Sequence, residues 1–280
     1  MPVIDAQLHV FESNTAARPW TGAGSPLAEA TGAQTIALMD AAGVDSAIIV
    51  SPWLNYLADT SYAFEVAEQF SGRFCVVAPV DPRRVDQAEF VAECASNSRL
   101  VGLRLMLWAP AEREKLASGG YTELLGELEN RGIPLCVALG PSTADARLIA
   151  ERNPSLNVVI DHLGLGSSSV PPAPEHPFDR LPEILRLAAL PNIAVKATGM
   201  PALSHEQHPY PDIHEQMQAL LAAYGPQRVM WGTDWTRTHA FLNYSDGVTW
   251  LDSTGLSRHE LALVRGGSAQ ELFGTHRALS

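Results

Sequence analysis

Two histidines and one aspartate, His9, His162 and Asp234, are the residues whose types and positions could do chemistry together. Each closes a short apolar run: Ile4-Asp5-Ala6-Gln7-Leu8-His9, Val159-Ile160-Asp161-His162, and Val229-Met230-Trp231-Gly232-Thr233-Asp234. A carboxylate with two imidazoles has two uses. It can hold one divalent metal, zinc for example, and lower the pKa of a bound water. Without a metal, the carboxylate takes a proton from water while the imidazoles polarise the electrophile.

What positions them is a repeat of apolar runs and amphipathic stretches. The runs Val3–Val10, Ser46–Ser51, Phe74–Val80, Val101–Leu107, Ile133–Leu139, Asn157–His162, Ile193–Ala197 and Val229–Asp234 read as strands buried on both faces. Between and after them, Thr35–Ala42, Ser61–Phe70, Val85–Ala95, Tyr121–Arg131, Ala144–Arg152, Phe178–Ala189, Ile213–Ala223 and Arg258–Val264 carry helical spacing. Eight strand-helix units predict a single (β/α)8 TIM-type barrel spanning residues 1–280, an α/β fold. The turn after the first strand, His9-Val10-Phe11-Glu12-Ser13, lacks the glycines of a doubly wound sheet. First and last strands are neighbours in a closed barrel, so His9 and Asp234 are expected close together, with His162 across the mouth. Strict alternation puts Asp5, Gln7 and His9 inside the barrel and Ile4, Ala6 and Leu8 against the helices. It also turns Asp161 away from His162, as a structural tie between strands.

These motifs resemble the second amidohydrolase family, in particular the branch of pyrone-dicarboxylate lactonase and related sugar- and muconolactone hydrolases. The resemblance covers nearly the whole chain. It rests on Ile4–His9, Asp161-His162-Leu163-Gly164, Val195-Lys196-Ala197-Thr198-Gly199, Trp231-Gly232-Thr233-Asp234-Trp235 and the closing stretch Gly267–Gly274. Family members with a metal pair carry His-x-His on the first strand. Here Gln7 takes the first of those places, and an amide is a poorer zinc ligand than imidazole. The fifth strand offers only Cys136, which reads as a small core residue. A binuclear centre is therefore not expected, and metal-free catalysis, which the resemblance implies for this branch, is preferred. One zinc or other divalent metal on His9, His162 and Asp234 is the alternative.

Candidate substrate contacts are Arg104, Lys196, Gln7, Arg237, Trp108 and Trp53. Arg104 interrupts an apolar strand; its planar fork suits a substrate carboxylate, or it forms a buried ion pair, with Asp5 for example. Lys196 either polarises a carbonyl or pairs with Asp234 or Asp161. His205, His208 and His239 lie on rim loops and read as solvated. Long rim connections are expected at Phe11–Gln34, Leu163–Pro177 and Thr198–Pro211, the second as a surface loop or lid.

With 19 basic against 31 acidic residues the formal charge is −12, which argues against nucleic-acid or anionic-membrane partners. Three cysteines without CxxC spacing, no basic-apolar leader and no long apolar run suggest a cytoplasmic protein with reduced thiols, possible as a homo-oligomer. The expected activity is hydrolysis of a small carboxylated lactone or similar ester. Asp234 would activate water, His9 and His162 would polarise the carbonyl, and the partner would be a small anionic molecule. Two rivals are a mononuclear metal-dependent amidohydrolase or decarboxylase on the same barrel and a non-catalytic binding scaffold.

Overall fold

The computed structural model describes residues 1–165 and 172–279. The Val- and Ile-rich runs form eight strands: β1 (Ile4–Leu8), β2 (Ser46–Val50), β3 (Phe74–Pro79), β4 (Leu100–Leu107), β5 (Leu135–Leu139), β6 (Val158–Ile160), β7 (Ile193–Thr198) and β8 (Val229–Gly232). Consecutive strands pair in parallel, in the order β1 to β8. The ring returns to its start where the Asp234 N–H donates to the Gln7 carbonyl at 2.8 Å. This is the (β/α)8 barrel that the strand-helix period predicts.

The connecting helices bury one stripe each against the outside of the ring. In Thr122–Arg131 that stripe is Leu124, Leu125 and Leu128. Gly32–Ala42 starts at a capping box in which Thr31 and Gln34 satisfy each other's backbone N–H. Pro110–Ala117, one of the helices outside the expected set, begins at its proline, whose fixed φ suits a first helical turn.

Inside the ring, Ile4, Ala6, Ile48, Val50, Cys75, Val77, Cys136, Val159, Ala194 and Met230 form one apolar cluster with Ala269, Phe273 and Ala278. The last three belong to the helices Ser268–Phe273 and Thr275–Ala278. Arg99, just before β4, donates to the Ala278 carbonyl, so these helices plug the N-terminal end of the barrel. The opposite, C-terminal end is left for side chains that do chemistry.

Strict alternation fails in β1. Its pairing with β2 shifts between Asp5 and Leu8. A bulge puts two successive residues on one face. Ile4 and Ala6 therefore join the interior cluster, Gln7 turns inward to meet Lys196, and Leu8 packs outward with the helices. Asp5 is the residue displaced, and it leaves the interior. Of the expected rim loop Leu163–Pro177, residues 166–171 lie outside the described residues. Among the described residues no helix is long and apolar enough to cross a membrane. Cys75, Cys94 and Cys136 are free thiols, with Cys75 and Cys136 buried.

Candidate active site

Each of the three reactive side chains reaches the barrel mouth just past the end of a strand. Asp234 lies beyond β8 in a left-handed backbone conformation (φ 49°, ψ 40°), which a short polar side chain tolerates. His162 is also left-handed (φ 50°), and so is Leu163. In β6 Val159 faces the interior and Ile160 the helices, so Asp161 continues the inward face. The left-handed turn at His162 brings the next side chain to the same side. Asp161 and His162 consequently both face the site, where Asp161 was expected to point away. His9 donates from Nδ1 to the Val50 carbonyl at the end of β2, 2.6 Å away, which leaves Nε2 facing the mouth.

The three groups meet. His9 Nε2 lies 3.4 Å from Asp234 Oδ1, and His162 Nδ1 lies 3.5 Å from Oδ2. Arg237 Nε donates to the same Oδ2. Arg104 Nη2, which can only donate, approaches His162 Nε2 at 3.5 Å, so the His162 proton belongs on Nδ1, beside Thr198 Oγ1 at 2.9 Å. The two imidazoles keep 17% and 13% of their side chains exposed while Asp234 keeps none, so the rings lie between the carboxylate and solvent.

Burial pushes the Asp234 carboxyl up, but Arg237, His162 and His9 outweigh it and hold it well below the usual carboxylate range. Burial acts the other way on His162. It drives the imidazole down to about 3, with Arg237 and Arg104 adding to the fall and Asp234 and Asp161 opposing it. At neutral pH the site therefore holds an ionised Asp234 beside a neutral His162.

Below the mouth lies a second polar layer. Arg104 Nε donates to Asp161 Oδ2 at 2.7 Å, and Lys196 Nζ sits 3.1 Å from Asp161 Oδ1 and 2.9 Å from Gln7 Oε1. Lys196 is wholly buried and stands over the Phe273 ring, 5.6 Å from its centroid. The partner of Arg104 is thus Asp161, not Asp5. Lys196 takes Asp161 as its partner, of the two carboxylates considered for it.

Asp5 instead pins the turn that carries Asp234. Its carboxyl accepts from Thr233 N at 2.9 Å, Thr233 Oγ1 at 2.5 Å, Tyr244 Oη at 3.0 Å and Gln7 N at 3.1 Å. Burial raises it to about 6 even though these hydrogen bonds pull it down. The native state therefore binds this proton more tightly than the unfolded chain. Stability from Asp5 is complete below the unfolded value of about 4 and is lost as pH rises through about 6, roughly 3 kcal/mol in all. Asp5→Asn keeps the acceptor for both backbone N–H groups and cannot ionise. Urea unfolding from pH 5 to 8 should show the variant gaining on the wild type as pH rises. A constant difference across that range would remove Asp5 from the pH dependence.

The other candidates are spread around the rim. Trp108 comes directly after β4 and is half exposed, and Trp53 opens the short helix Trp53–Tyr56 after β2. His205, His208 and His239, themselves outside the helices and strands, bond to Pro174 O, Thr249 Oγ1 and Thr236 O, the last two on helices. Two residues of the site went unassigned in the sequence. Thr198 shares the inward face of β7 with Lys196, and that spacing of two was the available signal. Gly199 (φ 66°) gave none, because its use lies in lacking a Cβ beside Arg237.

A divalent metal fits this donor set poorly. Asp234 Oδ2 is taken by Arg237, His162 Nε2 faces Arg104, and Gln7 Oε1 accepts from Lys196. Among the described residues no three His, Cys, Asp or Glu side chains converge as a metal-binding group.

Comparison with known proteins agrees with this fold. The family profile described as amidohydrolase matches residues 4–275. An L-fucono-1,5-lactonase of Burkholderia ambifaria is 26% identical over 219 residues, 76% of this chain and 72% of the relative. A 4-sulfomuconolactone hydrolase of Rhizobium radiobacter is 26% identical over 249 residues, 85% of this chain and 76% of the relative. A crystal structure of a Burkholderia multivorans amidohydrolase with bound zinc superposes with a TM-score of 0.81 at 24% identity, covering 98% of this chain and 99% of that one.

Proposed function

This chain belongs to the amidohydrolase family and is a hydrolase, and from that premise we propose that it opens a small carboxylated lactone without a metal. The observation that carries the reading is the buried, ionised Asp234 set between two imidazoles and a guanidinium at the barrel mouth. Lactone hydrolysis by the two curated relatives supports the substrate class.

In this reading a water beside Oδ1 gives its proton to Asp234 and attacks the lactone carbonyl carbon. The carbonyl oxygen becomes an oxyanion, stabilised by His162 Nδ1–H. His9, its Nδ1 proton held by the Val50 carbonyl, turns the Nε2 lone pair to the mouth beside Oδ1 and orients the attacking water instead of polarising the carbonyl. Collapse breaks the ring C–O bond, and the leaving oxygen recovers the proton from Asp234. The product is the open hydroxy acid. Oδ2 stays with Arg237 throughout, so Oδ1 is the basic atom. Arg104 offers its second guanidinium edge to the substrate carboxylate, with Arg237 as the neighbouring cation that holds Asp234 Oδ2. Trp53 and Trp108 wall the entrance, while Lys196 and Gln7 brace the layer beneath. Three free thiols suit a cytoplasmic setting.

A panel of carboxylated lactones, sugar lactones and simple esters, assayed with and without chelator, tests this. Carboxylated lactones should turn over equally in both conditions. Activity lost in chelator, together with stoichiometric zinc in the purified protein, would transfer the reading to a metal-dependent hydrolase. A lactone bound but unchanged for hours would favour a binding scaffold. Within the panel, Arg104→Lys should raise KM for a carboxylated lactone about tenfold while kcat falls less, since lysine keeps the charge but loses the fork. A variant with unchanged KM would return Arg104 to a purely structural role beside Asp161.

A further inference from the structure

We infer that Arg237, seated over Gly199, stands in for a divalent cation at Asp234 and closes this donor set against metal. Three donor atoms that a metal would need are each met by a cationic side chain. Arg237 Nε donates to Asp234 Oδ2, Arg104 Nη2 faces His162 Nε2, and Lys196 Nζ donates to Gln7 Oε1. In this cluster three cations, Arg104, Lys196 and Arg237, already stand against two anions, Asp161 and Asp234. A dication would add to an excess of positive charge in a poorly screened interior.

Arg237 is the group that decides the matter. It touches the carboxylate that bridges both imidazoles at the mouth. Its position is built into the backbone at Gly199. A Cβ there would fall well inside van der Waals contact of Arg237 Nη2, and the left-handed φ of 66° disfavours other residues as well. Gly199 is thus a positioning residue, acting through Arg237. The planar guanidinium gives Asp234 a fixed cation with donors in one plane, whereas a metal would need the lone pairs of all three donors at once.

The inference builds on the metal-free reading, but its test does not depend on turnover. Metal-stripped full-length protein is titrated with zinc by calorimetry. The wild type should bind more weakly than roughly 100 μM. Arg237→Met should bind one equivalent at least ~100-fold more tightly, because the competing charge is gone. Arg237→Lys, which keeps the charge, should stay close to the wild type. Adding His9→Ala to Arg237→Met should abolish the gain and so place the zinc at this site. Gly199→Ala, which displaces the guanidinium without removing it, should show an intermediate gain and serves as the second variant if Arg237→Met does not fold. Tight stoichiometric zinc in the wild type overturns the inference. So does an affinity for the folded Arg237→Met or Gly199→Ala variant within about threefold of the wild type. Failure of the whole lactone panel, with the zinc pattern as expected, would sink the proposed activity and leave this inference standing.

Discussion

Asp234→Asn should still fold, at some cost in stability because the ion pair with Arg237 is lost, and lose about 10²–10⁴ in kcat, the range expected when a general base is removed. Asparagine is the right probe for two reasons. The residue sits at φ 49°, and asparagine is among the few residues that enter that region at little cost. Its amide oxygen can still accept from Arg237 at the Oδ2 position, so the latch on helix Trp235–Thr238 survives. What disappears is the ability of Oδ1 to take a proton. Asp234→Ala mixes effects, since it adds left-handed strain and strands Arg237. The wild-type acid limb should also lie below pH 5, because Arg237 and the imidazoles hold this carboxyl under the usual range. Single-turnover rates on any lactone that the wild type opens, measured beside thermal melts, check the prediction. A well-folded variant retaining more than about a tenth of wild-type kcat would take Asp234 out of the proton-transfer step.

Much of this arrangement is legible in the residues alone. The eight strand runs, the barrel and the meeting of His9, His162 and Asp234 come from buried β-branched runs separated by amphipathic stretches. The errors share one cause. Alternation assumes a regular strand, and the site is built where strands stop being regular. The bulge in β1 sends Asp5 out and brings Ile4 and Ala6 in, while Gln7 and Leu8 keep the sides expected of them. Val159 faces the interior, so Asp161 follows it inward and becomes the partner of Arg104, while the left-handed turn at His162 and Leu163 brings His162 back to the same site. A bulge and a left-handed turn at non-glycine residues leave little trace in residue type. Gly199 is the complementary case, since a glycine after a strand reads as a turn signal. Only the position of Arg237 shows that it clears space for a side chain.

Asp161→Asn should be the most destabilising polar substitution in the barrel, costing about 3–5 kcal/mol, because it leaves two buried cations without their shared anion. Arg104 and Lys196 both lie on Asp161, and almost no part of any of the three side chains reaches solvent. Burial alone would push the Asp161 carboxyl up. Lys196 and Arg104 overturn that and hold it well below the usual range. A depressed carboxyl stabilises the fold above its unfolded value of about 4, and the gain is lost as pH falls. The gap between wild type and Asp161→Asn should therefore be widest near neutrality and should narrow below about pH 4, opposite in sign to Asp5. Lys196→Met should cost less, because the Arg104–Asp161 pair remains whole. Combining it with Asp161→Asn should recover part of the loss, since one stranded charge has gone. Urea unfolding of the two single variants and the double variant gives the coupling. A loss under ~1 kcal/mol for Asp161→Asn at neutral pH, or strictly additive effects in the double variant, would show that the three charges do not act as one unit.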